Sequence, residues 1–145
     1  MFGGIVVVLG MSSGWLAFDI IVLALLIGWG VSAGISAYRR KHYATVLDED
    51  AFREGMRKAQ VIDLRQKDAF DKGHILGARS LPYIYLKQQY GELRPDLPVY
   101  LYDDGMQLST QAVTFLAKKG YHKLYILKGG YADWHGKTKK AKYAD

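Results

Sequence analysis

The sequence predicts an α/β domain with a mostly parallel central sheet, preceded by one N-terminal transmembrane helix. Three observations predict it. Short β-rich runs alternate with short helical segments from Asp48 onward, the pattern of strands joined by crossover helices. Residues 15–38 are almost wholly apolar and long enough for a bilayer core of roughly 30 Å. All twenty Lys and Arg lie from Arg39 onward, with every acid of the fourteen except Asp19, so that part carries about +7 while the leader carries no basic residue.

The leader reads as a span because a helix satisfies its own backbone hydrogen bonds in lipid. Trp15 and Tyr38 sit where amphipathic rings favour the two interfaces, with Trp29 between them. Arg39, Arg40 and Lys41 follow at once. The positive-inside tendency then puts residues 1–14 outside as a short extracytoplasmic N-terminus, residues 39–46 inside as a basic juxtamembrane linker, and the body in the cytoplasm of a single-pass cell-membrane protein. A cleaved signal peptide is the rival reading, since Val31-Ser32-Ala33 has small residues, but its positive charge should precede the apolar run. A buried or interfacial helix is the third. Asp19 lies one turn in from Trp15, within reach of the outer interface; an intramembrane functional carboxylate is the alternative. Gly30 and Gly34 form a G-x-x-x-G pair, as do Gly10 and Gly14, and such spacing admits close helix–helix approach and a homodimer.

In the body, Asp48, Glu49 and Asp50 favour a helix start, with Phe52 and Met56 on one face. Val61–Leu64 reads as a buried strand, Gln66–Lys72 as a helical turn stopped by Gly73, and Ala78–Leu81 as a brief strand ending at Pro82. Tyr83–Tyr90 suits a helix. Pro98 introduces Val99–Tyr102, which should be the central strand. Asp103–Leu108 is a loop, and Ser109 is expected to cap a helix running to Lys119, with Gly120 as its stop. Lys123–Leu127 is the last strand, Gly129-Gly130 a turn, and Tyr131–His135 a closing helical turn. The tail, residues 137–145, has four lysines and no apolar pattern, and is expected to be loosely held.

Zero cysteine excludes disulfides, thiolate catalysis and Cys-ligated zinc. Basic residues are scattered, without a groove-lining run, so nucleic acid is not an expected partner; an anionic membrane surface is. No cofactor is expected, and His74 has no second ligand at metal spacing on a shared element, so no metal is either.

Val61-Ile62-Asp63-Leu64-Arg65, followed by Gly73-His74-Ile75 and Gly77-Ala78, resembles the first signature of the rhodanese family. Leu127-Lys128-Gly129-Gly130 with Trp134 resembles its closing Gly-Gly-x-x-x-Trp element, and the likeness covers residues 47–136. The resemblance implies a three-layer domain and an activity that moves sulfane sulfur as a cysteine persulfide. It puts that cysteine just after the central strand, at the start of a six-residue loop forming an anion nest at a helix N-terminus. Here the position falls to Asp103 and the helix-opening serine to Ser109, with Asp104, Gly105, Met106, Gln107 and Leu108 between. The family's loop glycine appears one place early, at Gly105, and the basic residue beside the serine is absent. Related Cys-x5-Arg phosphatases would lose both key residues too.

The resemblance therefore implies a catalytically inactive member, with Asp103 plugging the nest. Asp63 and Arg65 are expected to form a structural pair, His74 a structural hydrogen bond, and Gly73, Gly77, Gly129 and Gly130 turns or close approaches. Trp134 is expected in the core or at its rim. The expected work is binding or regulation, through the degenerate loop and a protein partner near the membrane. Two alternatives stand: an enzyme acting on a small anion or phosphate ester through Asp103, and a structural spacer dimerising through its membrane helix.

Overall fold

The computed structural model describes residues 13–142, which fall into two units divided after Ile35. The expected segment 1–14 thus lies, up to Ser12, outside the described residues, as do Gly10 and residues 143–145. Helix α1, Ser13–Tyr43, has 31 residues, about 46 Å at 1.5 Å per residue. It is long and apolar enough to cross a membrane, and none of its residues is buried.

The linker expected over residues 39–46 is not one. The helix continues through Arg39–Tyr43, and Thr45–Leu47 forms strand β1 after the single residue Ala44. Charge marks where a helix can leave lipid, but Arg, Lys and His do not break a helix. Tyr43 and Ala44 pack on the domain core, and Arg40 Nη1 donates to Thr110 Oγ1 at 3.3 Å.

After β1, helix α2 (Glu49–Gly55) opens on Asp48, whose carboxylate accepts from the Ala51 amide at 2.8 Å. A 3-10 turn, Met56–Lys58, leads to β2 (Gln60–Asp63). Then come α3 (Lys67–Lys72), β3 (His74–Ile75), β4 (Arg79–Ser80), α4 (Tyr83–Gln89) and a 3-10 turn, Tyr90–Glu92. Strand β5 (Val99–Tyr102), helix α5 (Gln107–Lys118), β6 (Leu124–Leu127), a 3-10 turn over Tyr131–Asp133 and β7 (Thr138–Lys139) complete the order.

Five strands make one sheet in the order β1-β6-β5-β2-β4, every pairing parallel. Strand β5 is central because all four of its residues are apolar or aromatic and buried, as a parallel strand covered on both faces requires. Alternation separates two cores. Ile62, Leu101 and Ile126 join Val113 and Leu116 of α5 on one face, and Val61, Tyr100 and Tyr102 join Phe52 of α2 on the other. These are the two faces of a three-layer domain.

The tail is also more ordered than its composition predicts. Strand β7 pairs antiparallel with β3, Leu76 N donates to Lys137 O at 3.1 Å, and Ala141 N to Asp71 O at 2.8 Å. Backbone pairing is blind to the lysines' polarity, because their side chains stay in water.

Candidate functional site

The loop between β5 and α5 sits at the C-terminal end of the sheet's central strand. Asp103, the first residue past β5, is 4% exposed. Its carboxylate accepts three hydrogen bonds: from the Leu108 amide at 3.1 Å, the Ser109 amide at 3.4 Å and Ser109 Oγ at 2.6 Å. An anion here faces unpaired amides of the first helical turn, the end of a helix that favours negative charge. Ser109 is not the cap that sequence reading assigns to it. Helix α5 begins two residues earlier, at Gln107, and Ser109 is its third residue, donating its hydroxyl to the side chain that does the capping.

The closing Gly-Gly turn clamps this loop from outside. Tyr131 N donates to Asp103 O at 2.8 Å and Ala132 N to Asp104 O at 3.2 Å. Gly130 has φ +67°, and a Cβ there would fall 2.6 Å from the Asp103 carbonyl oxygen and 2.5 Å from that of Asp104. Only glycine fits. Gly129, at φ +78°, is held against the Asp133 side chain, and Gly77 takes φ +94° in its turn.

Asp63 and Arg65 form a buried pair below the loop. Arg65 Nε and Nη2 donate to the carboxylate at 3.0 and 2.7 Å, and the Arg65 amide donates to Asp63 Oδ1 at 2.9 Å. Arg65 does more than its motif position announces. Nη2 also donates to Gly73 O at 2.6 Å, Nη1 lies 3.6 Å from Asp104 Oδ1, and the guanidinium stacks 4.1 Å from the Tyr131 ring centroid. It ties β2, the approach to β3, the degenerate loop and the Gly-Gly turn together. Burial opposes its charge, but the Asp63 hydrogen bond and charge outweigh this and raise its pKa. Burial, with the Asp63 carboxylate beside it, also pushes the Tyr102 phenol far up, so it stays neutral; its oxygen accepts from Ile75 N at 3.1 Å.

The remaining motif residues are placed around this frame. His74 is buried, its Nδ1 2.8 Å from Phe70 O and its ring stacked on Phe70 at 3.7 Å. Gly73 lies under the Tyr131 hydroxyl. Trp134 packs edge-on against Phe52 at the rim. Asp103 and Asp104 do not converge: one carboxylate points into the helix end, while the other is 77% exposed and faces Arg65. Gly105 is exposed, and Met106, Gln107 and Leu108 carry the chain into α5. Sequence reading missed the Arg65–Tyr131–Asp104 connection and the Arg40–Thr110 bond, which only tertiary proximity creates. No cluster of three metal-ligating side chains occurs among the described residues.

The fold and loop define a class: a parallel-sheet α/β domain with an anion cradle at the end of its central strand, here occupied by the protein's own carboxylate. The chain belongs to the rhodanese-like domain family, whose model matches residues 48–137. It is 41% identical over 124 residues to the uncharacterized protein YqhL of Bacillus subtilis, covering 86% of this chain and 98% of that one. It is 42% identical over 84 residues to the uncharacterized protein YibN of Escherichia coli, covering 55% of this chain and 58% of that protein. Among solved structures, a thiosulfate sulfurtransferase from Pseudomonas aeruginosa superposes with TM-score 0.61 at 28% identity, over 67% of this chain and 20% of that one. A rhodanese-related protein from Thermoplasma volcanium superposes with TM-score 0.62 at 19% identity, over 66% of this chain and 97% of that one, a likeness of fold. Without cysteine, this chain cannot carry sulfur as a cysteine persulfide.

Proposed function

We propose that this chain is a membrane-anchored, catalytically inactive rhodanese-like domain that works in the cytoplasm as a binding or regulatory module, its N-terminus outside. One observation carries the reading. The Asp103 carboxylate takes the Leu108 and Ser109 donors that would otherwise hold a substrate anion. A carboxylate has no sulfur to pass on, and Asp104, turned outward to Arg65, supplies no second group for acid–base chemistry. Anchoring by α1 raises the domain's effective concentration toward other membrane proteins without any new contact. The outward loop residues Asp104, Gly105 and Met106 are the surface offered to a partner protein.

The full chain in neutral detergent, given thiosulfate with cyanide or an aryl phosphate, should turn over neither. Activity abolished by Asp103→Asn would replace this reading with an enzymatic one. Protease added outside intact cells should spare the domain; digestion there reverses the orientation. Crosslinking of the full chain in its native membrane should capture a specific companion, and its absence would count against a binding role. A second reading is supported by the spacing of Gly30 and Gly34 four residues apart on exposed α1, which lets two copies of the helix approach closely. Gly30→Leu with Gly34→Leu should then abolish pairing in a membrane two-hybrid assay.

A further inference from the structure

A groove of about 520 Å³ opens on the domain surface. It is lined by Arg53, Met56, Arg57, Leu76, Trp134 and Lys137, together with His135 and Gly136, and none of them belongs to the Asp103–Ser109 loop. Its floor is apolar and fixed. The Trp134 ring packs edge-on against buried Phe52 at 6.0 Å, and its Nε1 donates to Lys137 O at 3.3 Å. A Cβ on Gly136 would lie 2.7 Å from Trp134 Cε2, so glycine lets the chain hug the indole. Leu76, 46% exposed, adds an aliphatic surface to the same groove.

The walls are cationic. The Arg53 guanidinium stands 5.4 Å from the Trp134 ring centroid and 3.3 Å from Glu49, whose carboxylate also accepts from the His135 amide. Glu49 is thus already engaged. Arg57 and Lys137 have no acidic partner among the described residues. Two cations without an acidic partner among the described residues share this groove with Trp134, Met56 and Leu76, a lining that suits carboxylates beside an apolar group. Concavity favours an inserted side chain over a flat lipid surface. We infer that this groove docks an acidic polypeptide segment: one aromatic or large aliphatic side chain on Trp134, Leu76 and Met56, with carboxylates on Arg57 and Lys137.

This deepens the binding-module reading and rests on it, but uses residues outside the Asp103–Ser109 loop. The test is a randomised peptide array probed with the full chain in neutral detergent. The selected peptides should carry carboxylates close to an aromatic or large aliphatic residue. The double variant Arg57→Glu, Lys137→Glu should bind them at least tenfold more weakly by fluorescence anisotropy, because both side chains are exposed and reverse charge without disturbing the core. Lys87→Glu, an exposed lysine on α4, should bind as the parent does. Selection of non-acidic sequences, or equal binding by the double variant, overturns the proposal. So does binding of a monomeric short-chain phosphatidylglycerol that depends on Arg57 and Lys137 while no peptide is selected; the groove would then be a lipid site. A native companion still captured by the double variant would overturn the groove and leave the module reading standing.

Discussion

Replacing Asp103 by alanine removes an acceptor from three donors at once. Ser109 is fully buried, and leaving its hydroxyl without a partner costs about 1–3 kcal/mol. The Leu108 and Ser109 amides lose their acceptor at the start of α5, a loss of the capping kind worth about 0.5–2 kcal/mol. The favourable charge at the helix end, about 0.3–1 kcal/mol, is part of the same interaction and does not add in full. The expected destabilisation is therefore about 2–4 kcal/mol, clearly above what helix-end charge alone would give. Asp103→Asn keeps the acceptor facing Ser109 but turns a donor toward the Leu108 amide, and should lose roughly half as much. Pulse proteolysis of the full chain in neutral detergent across a urea series reads both variants, since cleavage follows the unfolded population. An alanine variant as stable as the parent, or more stable, would refute the claim that Asp103 holds this loop.

Arg65→Met should cost about 3–5 kcal/mol in the same assay, because fully buried Asp63 is left without its cation; a loss below about 1 kcal/mol would show that the pair is not what joins these segments. Gly130→Ala forces a positive φ on alanine and drives its Cβ into the carbonyls of Asp103, Asp104 and Gly105, so a loss of about 3 kcal/mol is expected, and a stable variant would mean that the turn does not clamp the loop. Glu49 gives a pH signature. The His135 amide, donating to its carboxylate, holds the Glu49 pKa below that of an ordinary glutamate, against a smaller opposing effect of burial. A depressed folded pKa means stability that is present above about pH 4.5 and fades as pH falls through the folded value. Glu49→Gln should therefore flatten the stability profile on the acid side and leave it parallel to the parent near pH 7; an unchanged acid limb would contradict the assignment.

The sheet was legible where a strand declares itself locally. Val61–Leu64, Val99–Tyr102 and Lys123–Leu127 are runs of β-favouring residues between turn residues, and they became β2, β5 and β6 within a residue. Strand β1 was hidden because three residues hold no period, and because the first charged residues after an apolar run mark a membrane boundary rather than a helix end. The β3–β7 pair is two residues long and joins segments far apart in sequence, so no local window contains it. At the site, the identities of Asp103, Asp63, Arg65 and Gly130 were readable, but their partners were not. The serine-capping rule pointed to Ser109, and the helix starts earlier because a side chain outside it, Asp103, does the capping. Arg65 reaches Tyr131 and Asp104 across 66 and 39 residues of sequence, which no spacing rule records.

The carboxylate seated at the head of α5 also removes thiol chemistry from this position. Peroxides, glutathione and thiophilic metals act on thiolates and have no handle on an aspartate. The three hydrogen bonds that Asp103 accepts involve no redox-active atom. The chain's sulfur is confined to four methionine thioethers, one of them Met106 in this loop, so oxidation of sulfur here can give a sulfoxide but no disulfide or persulfide.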